Sequence, residues 1–446
     1  MKRLFRSVVT ALRSRTWWTA PLSYRRSAAW IFGVVVPVAV LAVPTKVSVD
    51  GIHYVLAAKT LFTPEFATLY PLFREPGYPA FLSLVHLFSG ASVAVVAAQA
   101  ALLAFSGFAG LYVVHRALGL TTITRYVLAI ALVLVLNPIF LIYAGHVMQQ
   151  AFFAALLACF AVLVEWSRKL PPRLRRWHVS LMLVVLNFVA VWSSVGWLYL
   201  GLFATTLALS LLFVPAVLRL SRRRLVRAIS ATMLVAVLAG STVVIDRAMY
   251  SGWERLRDAQ TTTNNQTSIT LKPLESAPSL PTPERLVMLY GTLMGIGVTE
   301  PYPKENDQFL AEQMRWRFFH SEWDTAYVRE PYTSAALGYF ALDDPSIVAH
   351  TLYAFASFPL GGDVPVAGVA YSLVMVLGHV MLIIALVRRQ WFVFALLMIP
   401  VSWLGVYALS NTPIDRYGIP AYPLFVGAIA LACDTRWWKR SKGNTP

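Results

Sequence analysis

Residue types that can do chemistry are concentrated in one stretch of the chain, residues 50–78. Asp50, His53 and Tyr54 stand at positions i, i+3 and i+4, so on a helix they share one face. Glu65 follows, and the chain then reads Arg74-Glu75-Pro76-Gly77-Tyr78-Pro79. One carboxylate can remove the proton of a hydroxyl group, and an arginine presents a planar fork of donors to phosphate oxygens. The stretch therefore suits a reaction that deprotonates a hydroxyl and stabilises an anionic phosphate.

Each of these residues also has a structural interpretation. Asp is a preferred N-cap, so Asp50 can simply begin a short helix along the membrane surface. Arg74 can be an interfacial anchor that reaches for lipid phosphate, and the rigid turn after it can be a loop-to-helix connection. His53, and His146 in the short loop before the predicted fourth span, can be structural histidines. The functional interpretation rests on the combination of an acid, a cation and aromatic hydroxyls in one loop.

The elements that must position this stretch are membrane helices. The chain has 446 residues, of which 58% are hydrophobic and only 13% are charged, whereas soluble domains are about one quarter charged. This composition excludes a soluble globular enzyme, a disordered tail and a coiled coil. A bilayer core needs roughly 20 apolar residues per helix, so we predict an all-α integral membrane protein with about ten transmembrane helices. The predicted spans are 28–45, 91–114, 126–143, 149–166, 179–194, 195–214, 228–246, 365–387, 391–409 and 418–433.

The charged residues indicate how these spans are oriented. The N-terminus, the connections 115–125, 167–178, 215–227 and 388–390, and the C-terminal tail hold 25 of the 38 Lys and Arg residues but only one acid, Asp434, with Glu165 just outside them. By the positive-inside rule these segments and both termini are cytoplasmic, which predicts a multi-pass protein of the cell membrane. The net charge of +17 is thus a topology signal. Membrane lipids are the expected partners of this charge, and no nucleic-acid partner is expected.

The outer side is predicted to carry two substantial segments. The first is the loop 46–90, and the second is the acidic segment 247–364, where 284–298 and 309–328 have apolar residues at helical spacing and are predicted to be small surface helices. The predicted organisation is a basic cytoplasmic N-terminus (1–27), a module of about seven spans (28–246) that includes the outer loop, the large outer segment (247–364), the last three spans (365–433) and a cytoplasmic tail (434–446).

Two motifs give the chain a family resemblance. The first is the order of a basic N-terminus, a first span, Asp50 near its exit, Tyr54 four residues later, and Arg-x-Pro-Gly-Tyr-Pro at 74–79. The second, at 415–423, reads Asp-Arg-Tyr-Gly-Ile-Pro-Ala-Tyr-Pro and is similar to an Arg-Tyr-x-x-Pro-x-x-Pro pattern before a late span. The sequence resembles the GT-C superfamily of polytopic glycosyltransferases. Its nearest branch resembles the protein-mannosyltransferase and aminoarabinose-transferase-like enzymes, which use polyprenyl-phosphate sugars.

The resemblance implies an activity and a role for each matching residue. The activity would be transfer of a sugar from a polyprenyl-phosphate donor to an envelope polysaccharide, a glycolipid or a protein hydroxyl at the outer face of the membrane. Asp50 matches the acid that serves as catalytic base. The other matches are expected to bind the donor or its phosphate: Arg74, Tyr78, Arg416 and Tyr417, with Lys59 as a further candidate. Candidate secondary residues are His53, Tyr54, Glu65 and His146.

This reaction needs little beyond one acid and fixed positive charge. The departing lipid phosphate is already a good anionic leaving group, so no general acid is required and a single base predicts inversion at the anomeric carbon. The two-carboxylate arrangement of most glycoside hydrolases is not required. No cofactor is expected, and no spacing resembles a set of metal ligands. A divalent cation, which some members of the superfamily use, stays an alternative.

Other functions remain open at the sequence level. Family members often have a Thr/Ser-Glu pair where this chain has Gln149-Gln150, and an Arg-Pro or Lys-Pro pair where it has residues 192–195, which are Trp-Ser-Ser-Val. These departures allow an inactive relative that serves as an assembly partner. A transporter or lipid flippase is the third alternative, but ion-coupled transporters keep ionisable residues within their spans. Here the polar exceptions are His379, Asn137 and Asn187, and no internal repeat is found. A bacterial source is expected.

Overall fold

The computed structural model describes residues 15–43, 45, 49–61, 77–167, 290, 294, 366–409 and 415–440. Three predicted spans, 179–194, 195–214 and 228–246, lie outside the described residues, as do Glu65 and Arg74. The described chain is helical apart from two short strands. Its elements are α1 Arg15–Thr19, β1 Pro21–Ser23, α2 Tyr24–Ala42, α3 Val49–Thr60, α4 Gly77–Phe88, α5 Ser92–Ala117, β2 Thr122–Thr124, α6 Arg125–Val135, α7 Pro138–Leu141, a 3-10 turn Ile142–Ala144, α8 Gln150–Ser167, α9 Val366–Val387, α10 Trp391–Leu409, a 3-10 helix Asp415–Ala421, α11 Tyr422–Ala432 and α12 Thr435–Arg440.

Helix α5 is the centre of the described bundle. It packs against α2, α8 and α11, and its 26 residues make it about 39 Å long. Side chains along it, including Leu103 and Leu111, are fully buried in one apolar core that also takes residues from its neighbours. Several apolar side chains of α9 stay exposed, among them Leu373 and Ile383. Exposed apolar residues on a long apolar helix are what a lipid-facing surface presents.

Three helices of the described residues are long and apolar enough to cross a membrane: α2, α5 and the part of α9 from Gly368 to Val387. A fourth span is added if α6 and the bent segment Pro138–Ala144 count as one. The predicted spans 91–114, 149–166, 365–387 and 391–409 agree with α5, α8, α9 and α10 within three residues at each end. Helix α2 corresponds to the predicted span 28–45 and begins four residues earlier than predicted. It begins there because Ser23 caps it by accepting a hydrogen bond from the backbone N–H of Arg26.

One end of the bundle joins four of the connections that were predicted to share a side. We call it the ribbon end, after the antiparallel pair of β1 and β2, in which Leu22 is opposite Ile123. The Arg436 guanidinium of α12 donates to Thr122 of β2, with its Nη2 3.0 Å from the backbone oxygen. The Trp437 indole donates to Gln390 of the α9–α10 turn at 2.8 Å. The described parts of the N-terminal segment, of the connections 115–125 and 388–390 and of the C-terminal tail therefore lie together at this end.

The predicted span 126–143 is interrupted, which the sequence analysis did not foresee. Helix α6 ends at Val135, and the chain bends by 63° before Pro138–Ala144. Pro138 has no N–H to donate to the carbonyl of Leu134, four residues earlier, so the helix cannot continue there. The hydroxyl of Tyr422 donates to that carbonyl at 2.9 Å, and Asn137 caps the following turn. The Tyr422 hydroxyl of α11 thus provides a hydrogen-bond partner for the backbone at the break. Such a partner is needed because backbone polar groups in an apolar environment must be hydrogen-bonded within the protein.

A second difference concerns the stretch 284–298, which was predicted to be a surface helix of the outer segment. Its two described residues, Tyr290 and Met294, pack instead against the main core. The Tyr290 hydroxyl lies 2.7 Å from Nε2 of His379, and Nδ1 of His379 lies 2.7 Å from the Met375 carbonyl. A carbonyl only accepts, so Nδ1 carries the proton and Nε2 accepts from Tyr290. His379 is 13 residues into α9, about 20 Å from its beginning, so Tyr290 lies deep along this helix.

Helices α5 and α11 cross at two glycines, and this contact supports a stability prediction. A Cβ added at Gly110 would collide with the backbone oxygen of Pro423, and one added at Gly427 with the backbone oxygen of Gly110. Gly110→Ala is expected to destabilise the bundle by about 2 kcal/mol or more, because two backbones must separate. Gly33→Ala on α2 is the matched control, since nothing lies within 4 Å of its added Cβ. Equal melting temperatures of the two purified variants would contradict the close helix crossing.

Candidate functional site

The loop end, opposite the ribbon end, brings together α3, the beginning of α4, residues 142–150 and the 3-10 helix Asp415–Ala421. Helix α3 carries Asp50 at its second position, with His53 and Tyr54 in the next turn. The rings of Tyr54 and Tyr78 meet edge to face with centroids 4.9 Å apart. The Ser83 hydroxyl donates to the Ala58 carbonyl at 2.7 Å. The contacts 54–78 and 58–83 advance in the same direction, so α3 and α4 are parallel.

The parallel arrangement decides which predicted residues come together. The first turn of α3, which holds Asp50, lies at the same end of the helix pair as the first turn of α4, which begins three residues after Arg74. Lys59 is exposed in the last turn of α3. It is nine residues from Asp50, about 14 Å along the helix. Helix α3 therefore holds Lys59 well away from Asp50, although both were predicted for one site.

Tyr78 of the Arg-x-Pro-Gly-Tyr motif has a clear place in the structure. Its side chain is fully buried, and its hydroxyl donates to Oε1 of Gln99 on α5 at 2.9 Å. Burial, with a smaller contribution from Tyr54, raises the pKa of the Tyr78 hydroxyl well above its ordinary value, so the group stays protonated and donates. Tyr78 was expected to contact the donor, but its hydroxyl is engaged with Gln99. Its observed role is to fix the first turn of α4 against α5.

Gln99 connects this helix pair to the segment after the α6–α7 break. Its Nε2 donates to the carbonyl of Ala144 at 3.0 Å and to that of His146 at 2.7 Å. The His146 ring packs edge to face on Tyr143, with centroids 5.3 Å apart. The structure therefore places His146 close to the motif that contains Tyr78, and its backbone carbonyl makes the observed bond. The sequence analysis did not single out Gln99, whose only signal is an amide within an apolar run.

Helix α8 contacts both motif segments. Near its beginning, Phe152 packs against Tyr78 and Phe81, with ring centroids 6.4 and 5.9 Å apart. Helix α8 also packs against the 3-10 helix Asp415–Ala421, whose backbone carries Arg416 and Tyr417. The motifs at 74–79 and 415–423 are far apart in sequence, and the fold brings described segments of both into contact with one helix.

Gln149 and Gln150 occupy the beginning of α8. They are 5% and 2% exposed. Within the part of the chain that the structure describes, the side-chain carbonyl oxygen of each accepts no hydrogen bond. Buried polar atoms in native proteins are nearly always paired, so two unpaired amide oxygens in consecutive residues are unusual. The sequence analysis noted these glutamines only as a departure from the family pattern.

The structure offers no ligand set for a metal among its described residues: no group of three or more His, Cys, Asp or Glu side chains lies close enough to hold an ion. The described side chains at this end that can bind a ligand include tyrosine hydroxyls and glutamine amides. Such groups can donate hydrogen bonds to the hydroxyls of a ligand or accept hydrogen bonds from them.

A substitution of Tyr78 tests its observed role. Tyr78→Phe removes the donor to Gln99 and leaves a buried amide oxygen unpaired, which is expected to lower the free energy of unfolding by about 1–3 kcal/mol. Thermal unfolding of the purified protein in detergent measures the effect. Tyr126→Phe is the matched control, because the Tyr126 side chain is 48% exposed. If both variants melt at the wild-type temperature, the Tyr78–Gln99 bond does not hold α4 in place.

Comparison with known proteins gives no further guidance: no protein-family model, no curated protein and no solved structure matches this chain.

Proposed function

We propose that this protein is a membrane glycosyltransferase that transfers a sugar from a polyprenyl-phosphate donor to an acceptor hydroxyl at the outer face of the membrane. The observation that supports it most is the parallel packing of α3 and α4 through Tyr54 and Tyr78. This packing brings the helix turn that holds Asp50 next to the segment that follows Arg74. A base and a phosphate-binding cation are the two groups that the reaction needs.

In the proposed reaction, the Asp50 carboxylate takes the proton of the acceptor hydroxyl as its oxygen attacks the anomeric carbon. The bond between that carbon and the phosphate oxygen breaks, and polyprenyl phosphate leaves with the bonding pair. Attack opposite the leaving group inverts the anomeric configuration. Arg74 and Arg416 offset the negative charge that grows on the phosphate. The acceptor is an envelope polysaccharide, a glycolipid or a protein.

The proposed orientation follows from the two ends of the bundle. In the proposed orientation the ribbon end lies in the cytoplasm, and both termini are proposed to be cytoplasmic. The loop end lies at the outer surface, where the donor enters sideways from the outer leaflet. The excess of Lys and Arg residues in the ribbon-end connections supports this orientation. About ten spans are proposed for the full chain, of which seven are held by residues 28–246.

The decisive experiment is sugar transfer in membranes that contain the protein. Membranes from cells with and without the gene are supplied with a panel of polyprenyl-phosphate donors that carry labelled sugars, and labelled glycans, glycolipids and proteins are separated. Transfer that depends on the protein is expected for at least one donor. If no donor yields a labelled product and the envelope glycans of a deletion strain equal those of the parent, the proposal fails.

A polytopic lipid or sugar transporter is the second candidate, and the break between α6 and α7 favours it. Discontinuous helices form the substrate sites of many transporters, and this chain has one pair bent by 63° within the described residues. Transport of a labelled polyprenyl-phosphate sugar across a proteoliposome membrane, without formation of a glycosylated product, would select this function over transfer.

A further inference from the structure

Gln149 and Gln150 present two unsatisfied acceptors at the beginning of α8, a helix that contacts the segments of both motifs. Both side chains are at least nine-tenths buried, and each amide oxygen lacks a hydrogen-bond donor among the described residues. An amide oxygen that is buried without a donor costs about 1–3 kcal/mol, and here the cost occurs twice in succession. An unsatisfied buried group in a native protein requires an explanation, and a ligand that supplies the missing donor is one such explanation.

Gln99 provides an internal comparison a short distance away. It is the same residue type, equally buried, and its amide is fully used: Oε1 accepts from Tyr78, and Nε2 donates to the carbonyls of Ala144 and His146. Gln99 therefore has the bonding pattern of a structural amide. The glutamines that begin α8 lack this pattern, although they belong to the same end of the bundle.

We propose that Gln149 and Gln150 recognise the sugar of the lipid-linked donor, and that this sugar is uncharged. The inference rests on the proposed function, because it takes a polyprenyl-phosphate sugar as the ligand. Sugar hydroxyls are donors that match the two free amide oxygens. An amide carries no charge, so this pair would not compensate the ammonium of an amino sugar, and a buried uncompensated charge is strongly unfavourable. A neutral hexose or pentose fits the pair.

The test separates stability from recognition. Gln149→Met and Gln150→Met remove an unpaired polar group at nearly constant volume, so the melting temperature of the apo protein is expected to stay equal or rise. Gln99→Met removes a paired amide and is expected to lower the melting temperature.

The probes are polyprenyl phosphate alone, the same lipid with a neutral hexose or pentose, and the same lipid with a cationic amino sugar. Wild-type protein is expected to be stabilised most by a neutral-sugar lipid.

The variants are expected to weaken binding of the neutral-sugar lipid by about tenfold each, the effect of one lost hydrogen bond in a buried site, while binding of polyprenyl phosphate alone is unchanged. Three results overturn the inference. The first is equal stabilisation of the wild-type protein by polyprenyl phosphate with and without a sugar, and the second is stronger stabilisation by the amino-sugar lipid. The third is a pair of Met variants that lower the melting temperature as Gln99→Met does and still bind the neutral-sugar lipid normally. The last result would mean that the glutamines hold structural water only.

Transfer of the labelled sugar is followed in the same preparations, which separates this inference from the proposed function. Sugar-dependent binding that both glutamine variants weaken, without transfer by the wild type, supports the recognition site and overturns the transferase. Transfer by the wild type that neither variant affects overturns the recognition site and supports the transferase.

Discussion

Replacing Asp50 with Asn is expected to lower sugar transfer by about 10²–10⁴-fold, the range for loss of a positioned general base. Asparagine has nearly the same size as aspartate but cannot take the proton of the acceptor hydroxyl. Asp50 lies in the first turn of α3, so the neutral side chain is not expected to alter the packing of Tyr54 on Tyr78. The loss should appear in kcat, with little change in KM for the donor, because the base acts in the transition state.

The measurement is the initial rate of transfer in membranes that contain equal amounts of each protein. Asp258→Asn is a matched control, since it removes the same charge from the predicted outer segment. Asp50→Glu is expected to retain partial activity, because it keeps a carboxylate but displaces it. Wild-type rates from an Asp50→Asn protein that is produced normally would show that another group serves as the base.

Asp434→Asn is expected to produce the largest loss of stability at the ribbon end, about 3 kcal/mol. The Asp434 carboxylate is almost completely buried, and its Oδ2 lies 2.6 Å from Nη2 of Arg436 and 3.7 Å from Nε2 of the buried His115. Arg436 continues to the hydroxyl of Thr122 at 3.1 Å. Without the carboxylate, the guanidinium that joins α12 to β2 has no counter-ion in this network.

The pH dependence of unfolding checks this assignment. Burial alone would raise the pKa of Asp434, but His115 and Arg436 outweigh it and hold the pKa well below its ordinary value. Such a carboxyl stabilises the fold at every pH above its ordinary pKa of about 4, and the stabilisation is lost as the pH falls further. The melting temperature of the wild type should therefore fall more steeply below pH 4 than that of Asp434→Asn.

Arg389→Gln is the control for this second prediction, because Arg389 is an exposed arginine of the same end and should change the melting temperature little. A double-mutant cycle of Asp434→Asn with Arg436→Gln measures the coupling between the two groups. A coupling energy near zero would show that the ion pair does not hold the C-terminal tail.

Hydropathy and charge predicted the parts of the fold that depend on single segments. The apolar run 391–409 coincides with α10, because helix length in an apolar environment follows directly from composition. The grouping of connections by basic charge predicts that the N-terminal segment, 115–125 and the C-terminal tail share one side of the membrane, and in the structure β1, β2 and α12 lie at one end. The ribbon itself was not predicted, since strands of three residues such as Pro21–Ser23 are too short to show an alternating pattern.

The features that were missed depend on contacts between distant segments. The break before Pro138 lies in a largely apolar run. The Leu134 carbonyl beside it accepts hydrogen bonds from the backbone N–H of Asn137 and from the hydroxyl of Tyr422, which belongs to a later helix. Tyr290 was expected at the surface because the apolar residues at helical spacing in 284–298 predicted a small surface helix of the outer segment. Its hydrogen bond to His379 joins two segments that are far apart in sequence and could not be predicted from either one.

In the candidate site, too, features of single segments were predictable and contacts between distant segments were not. Residue types and spacing identified the turn with Asp50 and the motif with Tyr78, and α3 and α4 bring these together. The role of Tyr78 was not predictable, because the partner that engages its hydroxyl, Gln99, is separated from it by a helix connection. The distinction between a satisfied and an unsatisfied glutamine is likewise a property of the folded structure and has no counterpart in the sequence.

The cross-links at the ribbon end also have a mechanical consequence. Strand β2 is bonded to β1 on one edge and to Arg436 on the other, so this end is a stiff pivot for the helices that leave it. Along the 26 residues of α5, a rotation of about 5° at the pivot moves the far end by about 3 Å. A small tilt at this end would therefore displace the far end of α5 most, while the ribbon keeps β1, β2 and α12 attached to one another.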